Sequence, residues 1–289
     1  MTYDTGGESR RSRRLLEERE RKRAQRRRVA AWVGVTVLVV FLALGGIFAV
    51  KVLGKKKPPP VQTFKVVIPE GFTVNQTAER FEEVTGGRIK ASDFIAQAKA
   101  YHPYSFLKDS KNGCEGFLFP KTYEVTASTT AAQAVDMMLK QFALETSGLD
   151  WSRATALGIS PYQAVTVGSM IEREVKLPTE RPIVASVIYN RLTKKMRLQI
   201  CATVEYSLGH WKPALSDADL QVDSPYNTYK IDGLPPGPIC SPGFESIRAA
   251  LYPDATNYLF YILTSPAEGK HSFTADYAQF AQWKAQLNK

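Results

Sequence analysis

The sequence contains only three cysteines in 289 residues. Cys114, Cys201 and Cys240 are an odd set without CxxC spacing, so neither a structural zinc site nor a disulfide framework is predicted. A single disulfide among the three stays open. No metal ion and no other cofactor is expected.

The chain beyond residue 57 has no excess of charge of either sign. Residues 58–289 hold 23 Lys+Arg and 23 Asp+Glu, whereas residues 1–57 hold 15 and 5 and carry the whole net charge of +10. A domain that binds nucleic acid needs its basic excess on the folded surface, so nucleic acid is not expected as a partner. The hydrophobic content of 44% favours one or two folded domains over a disordered chain.

Residues 29–50 lack charged side chains and are long enough for one membrane-spanning helix. Lysines follow this stretch where a cleaved signal peptide would have small residues, which indicates an uncleaved anchor. Eleven Lys/Arg precede it and four follow closely. The positive-inside rule predicts a single-pass bacterial cell-membrane protein, with residues 1–28 as a cytoplasmic basic arm, residues 29–50 as the transmembrane helix and residues 51–289 outside. The arm either binds anionic lipid headgroups or only sets the topology.

Residues 51–60 are rich in lysine and proline and predict a short stiff linker. Folded sequence begins near Val61. Residues 63–68 alternate like a strand, and Thr73 with Gln76 forms a capping box for a helix that ends near Val84. A second helix follows Ser92. The result is a small module that either binds a ligand or packs beside a larger domain.

Another capping box opens a helix over residues 160–175, with Ser160 as N-cap and Gln163 at the third position. On this helix Glu174 lies roughly 60° from Ile171 and thus at the edge of the apolar face, whereas Glu172 lies roughly 100° away on the other side.

Burial of the Glu174 carboxyl raises its pKa towards the range of a proton donor at neutral pH. The carboxyl end of a helix also disfavours an anion. The alternative is an ion pair with Arg181 or Arg191, and the spacing alone does not decide between the two.

A further helix is predicted over residues 180–194, with Thr179 as its cap and Asn190 on its apolar stripe, where a buried amide needs partners. Two loops, residues 224–229 and 233–238, carry amide, hydroxyl and aromatic groups suited to sugars. A hairpin is predicted from residues 258–263 to 272–273, with His271 as a structural histidine.

Several segments together resemble the endolytic murein transglycosylases of the MltG (YceG-like) family. These segments are Glu115-Gly-Phe-Leu-Phe-Pro-Lys-Thr-Tyr123, Gly168-Ser-Met-Ile-Glu-Arg-Glu174, Glu180-Arg-Pro-Ile-Val-Ala-Ser-Val-Ile-Tyr-Asn-Arg-Leu192, Met196-Arg-Leu-Gln199, Tyr226-Asn-Thr-Tyr229 and Gly233-Leu-Pro-Pro-Gly237. The resemblance covers residues 61–289 and implies an α+β fold. It implies a LysM-like module at residues 61–125 and a catalytic domain at 126–289, acting on peptidoglycan glycan strands at the cytoplasmic membrane with cell-wall synthesis proteins as partners.

The resemblance implies cleavage of the MurNAc-β-1,4-GlcNAc bond without water, which leaves a 1,6-anhydro-MurNAc end. The family's catalytic glutamate corresponds to Glu174, and Glu172 is the second candidate. By resemblance and polar character, the residues expected to position the sugars are Asn190, Gln199, Tyr226, Asn227 and Thr228. Many relatives have Ser-Asp-Pro-Thr after Leu-Gln, whereas this chain has Ile200-Cys-Ala-Thr203 and therefore no carboxylate there.

Two other functions stay open. One is a hydrolytic muramidase in which Asp223 or Asp232 supplies a second carboxylate that activates water. The other is a membrane-anchored scaffold that binds peptidoglycan without cleaving it. The product ends distinguish the two enzymes, because hydrolysis gives a reducing end.

Overall fold

The structure, a computed structural model, describes residues 6–53, 62–100, 103–212 and 214–287. Two compact units divide the chain, Met1–Pro60 and Val61–Lys289. In its described residues the first contains one helix, α1 (Gly6–Leu53), and the part of it within Leu16–Phe48 that follows the charged residues 17–28 is long and apolar enough to cross a membrane. The predicted linker lies outside the described residues from residue 54 onward, and its first three residues continue α1.

The second unit mixes helices with two small sheets, in agreement with the predicted α+β class. Its elements in chain order are β1 (Thr63–Val67), α2 (Val74–Thr85), α3 (Ala91–Lys99), β2 (Thr122–Thr126), α4 (Ala131–Glu145), α5 (Ser152–Ala156), α6 (Pro161–Glu174), α7 (Arg181–Thr193), α8 (Cys201–Leu208), α9 (Phe244–Leu251), β3 (Phe260–Ser265), β4 (Lys270–Thr274) and α10 (Tyr277–Leu287).

The first part of this unit has a β-α-α-β order. β1 and β2 pair antiparallel with Thr63 opposite Thr126, and α2 and α3 lie between them in the sequence. The predicted capping box at the start of α2 is confirmed in both directions, Gln76 N to Thr73 Oγ1 and Thr73 N to Gln76 Oε1. Local sequence alone therefore defines where this helix begins.

One hydrophobic core extends beyond residue 125. It joins Phe81 and Phe94, whose rings stack at 5.0 Å, to Phe142 on α4 and Val165 on α6. The predicted boundary between a module and a catalytic domain at this residue stays a prediction. A second core, centred on Met170 of α6, is formed by α6, α7, α9 and the segments around α8.

Helices α6 and α9 cross at short distance because Gly168 has no side chain. A Cβ there would lie 3.2 to 3.3 Å from backbone atoms of Ile247 and Ser246. The predicted capping box of α6 is also confirmed, with Gln163 N donating to Ser160 Oγ. The capping box defines where α6 begins, and the close packing holds the helix against α9. Glu174 is the last residue of α6.

The predicted cap of α7 is wrong. Residues Pro178–Glu180 form a 3-10 turn, and Glu180 is the N-cap residue without a side-chain capping bond. Pro178 begins this 3-10 turn one residue before Thr179, so Thr179 lies inside the turn and does not cap α7. The helix itself is confirmed within one residue at each end.

The predicted hairpin is confirmed as β3 and β4. Tyr261 pairs with Phe273 and Leu263 pairs with His271, with an irregular register between Leu263 and Ser265. Gly269 adopts a left-handed φ of 68° in the turn, a conformation that glycine accepts without strain. This hairpin carries the side chains that reach the end of α6.

Candidate active site

Glu174 lies where the helical spacing predicted, at the edge of the buried face of α6. Ile171 is completely buried and Val175 is 3% exposed, whereas the Glu174 side chain is only partly buried. The Glu174 side chain therefore lies at the edge of the interior and keeps some contact with solvent. A proton donor to an external substrate requires both properties.

Two donors contact the Glu174 carboxylate from other elements. The Tyr261 hydroxyl on β3 donates to Oε2 at 2.8 Å, and the Ala202 amide in the first turn of α8 lies 3.5 Å from Oε1. The first bond is short and the second is long, so the two carboxylate oxygens are not equivalent.

The ion pair considered from the sequence is not formed. Arg181 pairs instead with Glu172 and Glu70, at 3.7 and 3.9 Å. The Arg191 guanidinium donates to the carbonyl groups of Leu259 and Leu198, both at 2.6 Å. Among the residues that the structure describes, no ion pair includes Glu174.

Burial raises the pKa of Glu174 above its usual range, as the sequence predicted. The hydrogen bonds from Tyr261 and Ala202 and the nearby His271 oppose this shift, whereas the charge of Glu205 adds to it. The balance keeps the protonated form of Glu174 accessible at higher pH than for an ordinary glutamate.

Glu172, the second candidate, is held in the interior. Its Oε2 accepts from Ser246 Oγ at 2.7 Å and from the Gly243 amide at 3.0 Å, at the start of α9. Arg181 faces its other oxygen, and the side chain is 8% exposed. These contacts favour a structural role for Glu172 in joining α6 to α9.

The segment after Gln199 forms one wall beside Glu174. Cys201 is exposed, with its Sγ 3.1 Å from the Tyr229 hydroxyl. Although the residue as a whole is exposed, desolvation of the thiol group raises its pKa, and the charge of Glu174 adds to the effect. All three cysteines are free, and Cys114 and Cys240 are buried.

Gln199 and Tyr226 keep surfaces that a sugar could reach. Gln199 is exposed and has a left-handed φ of 50°, which is uncommon for a residue other than glycine. Tyr226 is half-buried, its ring lies 4.9 Å from that of Tyr206, and its hydroxyl accepts from Asn112 Nδ2 at 3.4 Å. The left-handed backbone of Gln199 is a strained conformation, and such strain occurs preferentially at functional sites.

Asn227 and Thr228 are completely buried. Asn227 Nδ2 donates to the carbonyls of Leu220 and Val222, and Thr228 Oγ1 accepts from the Ile200 amide. Asn227 thus ties the loop to residues 220–222, and Thr228 holds it against the start of α8. A direct contact between them and a sugar is therefore not part of the function proposed below.

Asn190 is partly buried and has the partners that an amide on the apolar stripe of α7 needs. Its amide donates to the carbonyls of Thr256 and Tyr258, both at 2.9 Å, and so anchors the chain that enters β3. Both amide hydrogens are used in these bonds. Only Oδ1 is left for the predicted contact with a sugar.

A cavity of about 580 Å³ lies along the second turn of α8. Its wall includes Glu205, Tyr206 and Trp211 together with residues of α2, and the buried Glu115 carboxyl faces it. Both oxygens of Glu115 lie 3.2 Å from the Val74 amide, and the Tyr206 hydroxyl donates to Oε2 at 3.3 Å. Burial raises the pKa of Glu115 to about 7.

The two aspartates considered for a hydrolytic mechanism lie in solvent. Asp223 is fully exposed near Lys230, and the Asp232 side chain is 84% exposed and pairs with Arg197. The carboxylate whose charge acts on the pKa of Glu174 is Glu205 instead.

Sequence reasoning missed two contacts of this region. Tyr261 was placed on a hairpin but not beside Glu174, and Glu115 was part of a motif but had no chemical role. The first four residues of β3 are all apolar or aromatic, so no alternation indicates which side of the strand Tyr261 occupies. Nothing in the sequence indicated that this side faces the end of α6.

Comparisons with known proteins agree with one another. A sequence model of the YceG-like family matches residues 48–286. The chain is 36% identical over 220 residues to the endolytic murein transglycosylase of Bacillus subtilis, which covers 71% of this chain and 60% of that protein. It is 30% identical over 240 residues to that of Streptococcus pneumoniae strain R6, covering 75% and 43%. This chain thus spans less than two thirds of the length of either relative.

The fold is also similar to a solved structure. The crystal structure of a YceG-like protein from Listeria monocytogenes superposes with a TM-score of 0.67 at 34% identity, over 82% of this chain and 80% of the other.

Proposed function

Because the chain belongs to the YceG-like family, we propose that it is an endolytic peptidoglycan transglycosylase that cleaves MurNAc-β-1,4-GlcNAc bonds and leaves 1,6-anhydro-MurNAc ends. Two relatives that bear the name endolytic murein transglycosylase support the activity. The observation that carries the assignment to Glu174 is its place at the end of α6, where the side chain keeps some contact with solvent while burial raises the pKa of its carboxyl group.

In the proposed mechanism, neutral Glu174 first acts as general acid. Its proton passes to the glycosidic oxygen while the bond from that oxygen to C1 of MurNAc breaks and positive charge develops at C1. Glu174, now a carboxylate, takes the proton of the C6 hydroxyl of the same sugar. The C6 oxygen then closes on C1, and the enzyme regains its starting protonation state.

Attack from within the substrate explains why one carboxyl group suffices. An ordinary glycosidase needs a second carboxylate to activate water or to attack C1. The C6 hydroxyl is already attached to the reacting sugar, so its effective concentration is high. The exposed positions of Asp223 and Asp232 support this choice over the hydrolytic alternative that would use them.

The substrate is proposed to lie along α8. Gln199 and Tyr226 are proposed sugar contacts near either end of this wall, with Asn190 contributing through Oδ1. The cavity at the second turn of α8 has the aromatic and polar lining that suits further sugars of the strand. The β-α-α-β part, with its two antiparallel strands, supports a LysM-like module at residues 61–125.

The proposal includes a membrane location. The apolar stretch of α1 and the charge difference across it support a single-pass anchor with its N-terminus in the cytoplasm and the second unit outside. Cell-wall synthesis proteins are proposed partners there.

Mass spectrometry of the products tests the reaction. The full chain in detergent is incubated with uncrosslinked glycan strands, alongside Glu174→Gln and the matched change Glu172→Gln two residues earlier on α6. We expect anhydro-MurNAc ends from the wild type, loss of at least about 100-fold in Glu174→Gln, and retained activity in folded Glu172→Gln.

Each contrary result has a distinct meaning. An active Glu174→Gln with an inactive, folded Glu172→Gln would assign the chemistry to Glu172. Reducing ends would indicate a muramidase, with Glu205 as the next carboxylate to replace. An absence of products from the wild type would favour the binding scaffold.

A further inference from the structure

The two oxygens of Glu174 have different surroundings. Oε2 accepts a hydrogen bond from the Tyr261 hydroxyl at 2.8 Å, whereas the nearest donor to Oε1 is the Ala202 amide at 3.5 Å. We propose that Tyr261 is a positioning residue that holds Oε2 and leaves Oε1 as the oxygen that transfers the proton. This inference rests on the function proposed above.

The hydroxyl of Tyr261 is suited to both states of Glu174. When the carboxyl group is neutral, the donated hydrogen bond occupies Oε2 and the acidic proton resides on Oε1. When Oε1 has given up the proton, the same bond is charge-assisted and stabilises the carboxylate. The rotamer of Glu174 is thereby kept through the whole cycle, and Oε1 both gives and regains the proton.

A buried hydrogen-bonded pair, Glu180 and His271, holds the hairpin that carries Tyr261. Glu180 accepts from His271 Nδ1 at 2.8 Å through Oε2 and from the His271 backbone amide at 3.0 Å through Oε1. The His271 and Glu180 side chains are 8% and 7% exposed. The imidazole in turn meets the Tyr261 ring edge-on, with centroids 5.6 Å apart and planes at 77°.

The position of Glu180 in the chain makes this pair a brace across the site. Glu180 follows Glu174 by six residues, through the 3-10 turn that leads into α7. Its two bonds to His271 therefore tie the segment after Glu174 directly to β4. We assign to Glu180 and His271 the task of keeping the Tyr261 hydroxyl within reach of Oε2.

Other groups around Glu174 also influence its protonation. Those that face it from neighbouring elements, besides Tyr261 and His271, are Arg191 on α7, Cys201 and Glu205 on α8, and Tyr229 in the loop beyond α8. A test of Tyr261 must therefore leave all of these unchanged. Replacement of tyrosine by phenylalanine meets this condition because it removes the hydroxyl alone.

The experiment compares the pH profile of kcat/KM for wild type, Tyr261→Phe and Tyr258→Phe, using the full chain in detergent and uncrosslinked glycan strands. Removal of a hydrogen bond that favours the carboxylate raises the pKa of Glu174, so the alkaline limb of Tyr261→Phe is expected at higher pH. Its kcat is expected to fall about 10- to 100-fold. Tyr258→Phe, the same change three residues earlier, is expected to match the wild type.

A second variant tests the contact between Glu180 and His271, and it provides an independent result if Tyr261→Phe does not fold. Glu180→Gln keeps the shape but weakens the contact with His271, and we expect its alkaline limb to move in the same direction with a smaller fall in kcat. An unmoved limb in folded Tyr261→Phe would overturn the role of Tyr261. An unmoved limb in Glu180→Gln would overturn the role of the brace.

The design separates this inference from the proposed function. Wild-type activity that is lost in Glu174→Gln establishes the reaction independently of Tyr261. If the wild type forms no anhydro ends, the proposed function fails first. If it does and Tyr261→Phe behaves like the wild type, only the present inference fails.

Discussion

Substitution of Glu115 by glutamine tests whether the carboxyl group at the cavity makes the folded domain less stable as the pH rises. Glu115 is 5% exposed, and burial raises its pKa to about 7, against 4.5 for the free side chain. The folded domain therefore binds this proton more tightly than the unfolded chain does. Stability from this group is fully present below pH 4.5 and is lost as the pH rises through about 7.

The size of the effect follows from the two pKa values. A shift of one pKa unit corresponds to about 1.4 kcal/mol, so the wild type should lose about 2.5 kcal/mol between pH 5 and pH 8 relative to Glu115→Gln. The glutamine keeps an oxygen for the Val74 amide and has no charge to desolvate. A difference in the free energy of unfolding that is the same at every pH cancels, because only the change with pH is compared.

The assay is urea unfolding of residues 61–289, which form one compact unit with its own hydrophobic cores. The free energy of unfolding is measured for both proteins at several pH values between 5 and 8, and their difference is plotted against pH. The chemical shift of the Glu115 carboxyl carbon gives an independent midpoint near pH 7. A difference that is flat over this range, or that changes with the opposite sign, would refute the reasoning.

Two further substitutions probe the packing that positions Glu174. Glu172→Gln removes the charge that binds Ser246 and faces Arg181, and urea unfolding at pH 7 should show a loss of about 1–3 kcal/mol; an unchanged midpoint would mean that these contacts contribute nothing. Gly168→Val places methyl groups against the backbone of Ile247, so the midpoint should fall by an amount equivalent to about 3 kcal/mol. A wild-type midpoint would show that α6 and α9 separate without cost.

Local features of the fold were predictable because they depend on neighbours in the sequence. The capping boxes at Thr73 and Ser160 involve residues three positions apart, and the sequence patterns placed both helix starts correctly. The position of Glu174 at the edge of the buried face likewise follows from the geometry of a single helix. The wrong cap of α7 has a local origin too, since a proline began the turn one residue before Thr179.

Contacts between distant segments could not be predicted in this way. Tyr261 and Glu174 are 87 residues apart, and His271 and Glu180 are 91 residues apart. Their meeting depends on how the β3–β4 hairpin packs against the end of α6, which no periodicity encodes. Asn190 illustrates the limit, because its apolar position showed that it needs partners but not that these are the carbonyl groups before β3.

The pairing of β1 with β2 has a mechanical consequence. Tension that reaches the second unit through the preceding chain enters at Thr63, and the chain continues into α4 from the end of β2 at Thr126. These two residues lie directly opposite each other in the antiparallel register. The load therefore acts on one end of the ladder and opens its hydrogen bonds in succession, as a zip, rather than shearing them together. Under such a load, we expect the hydrogen bonds at the Thr63–Thr126 end of the ladder to open first.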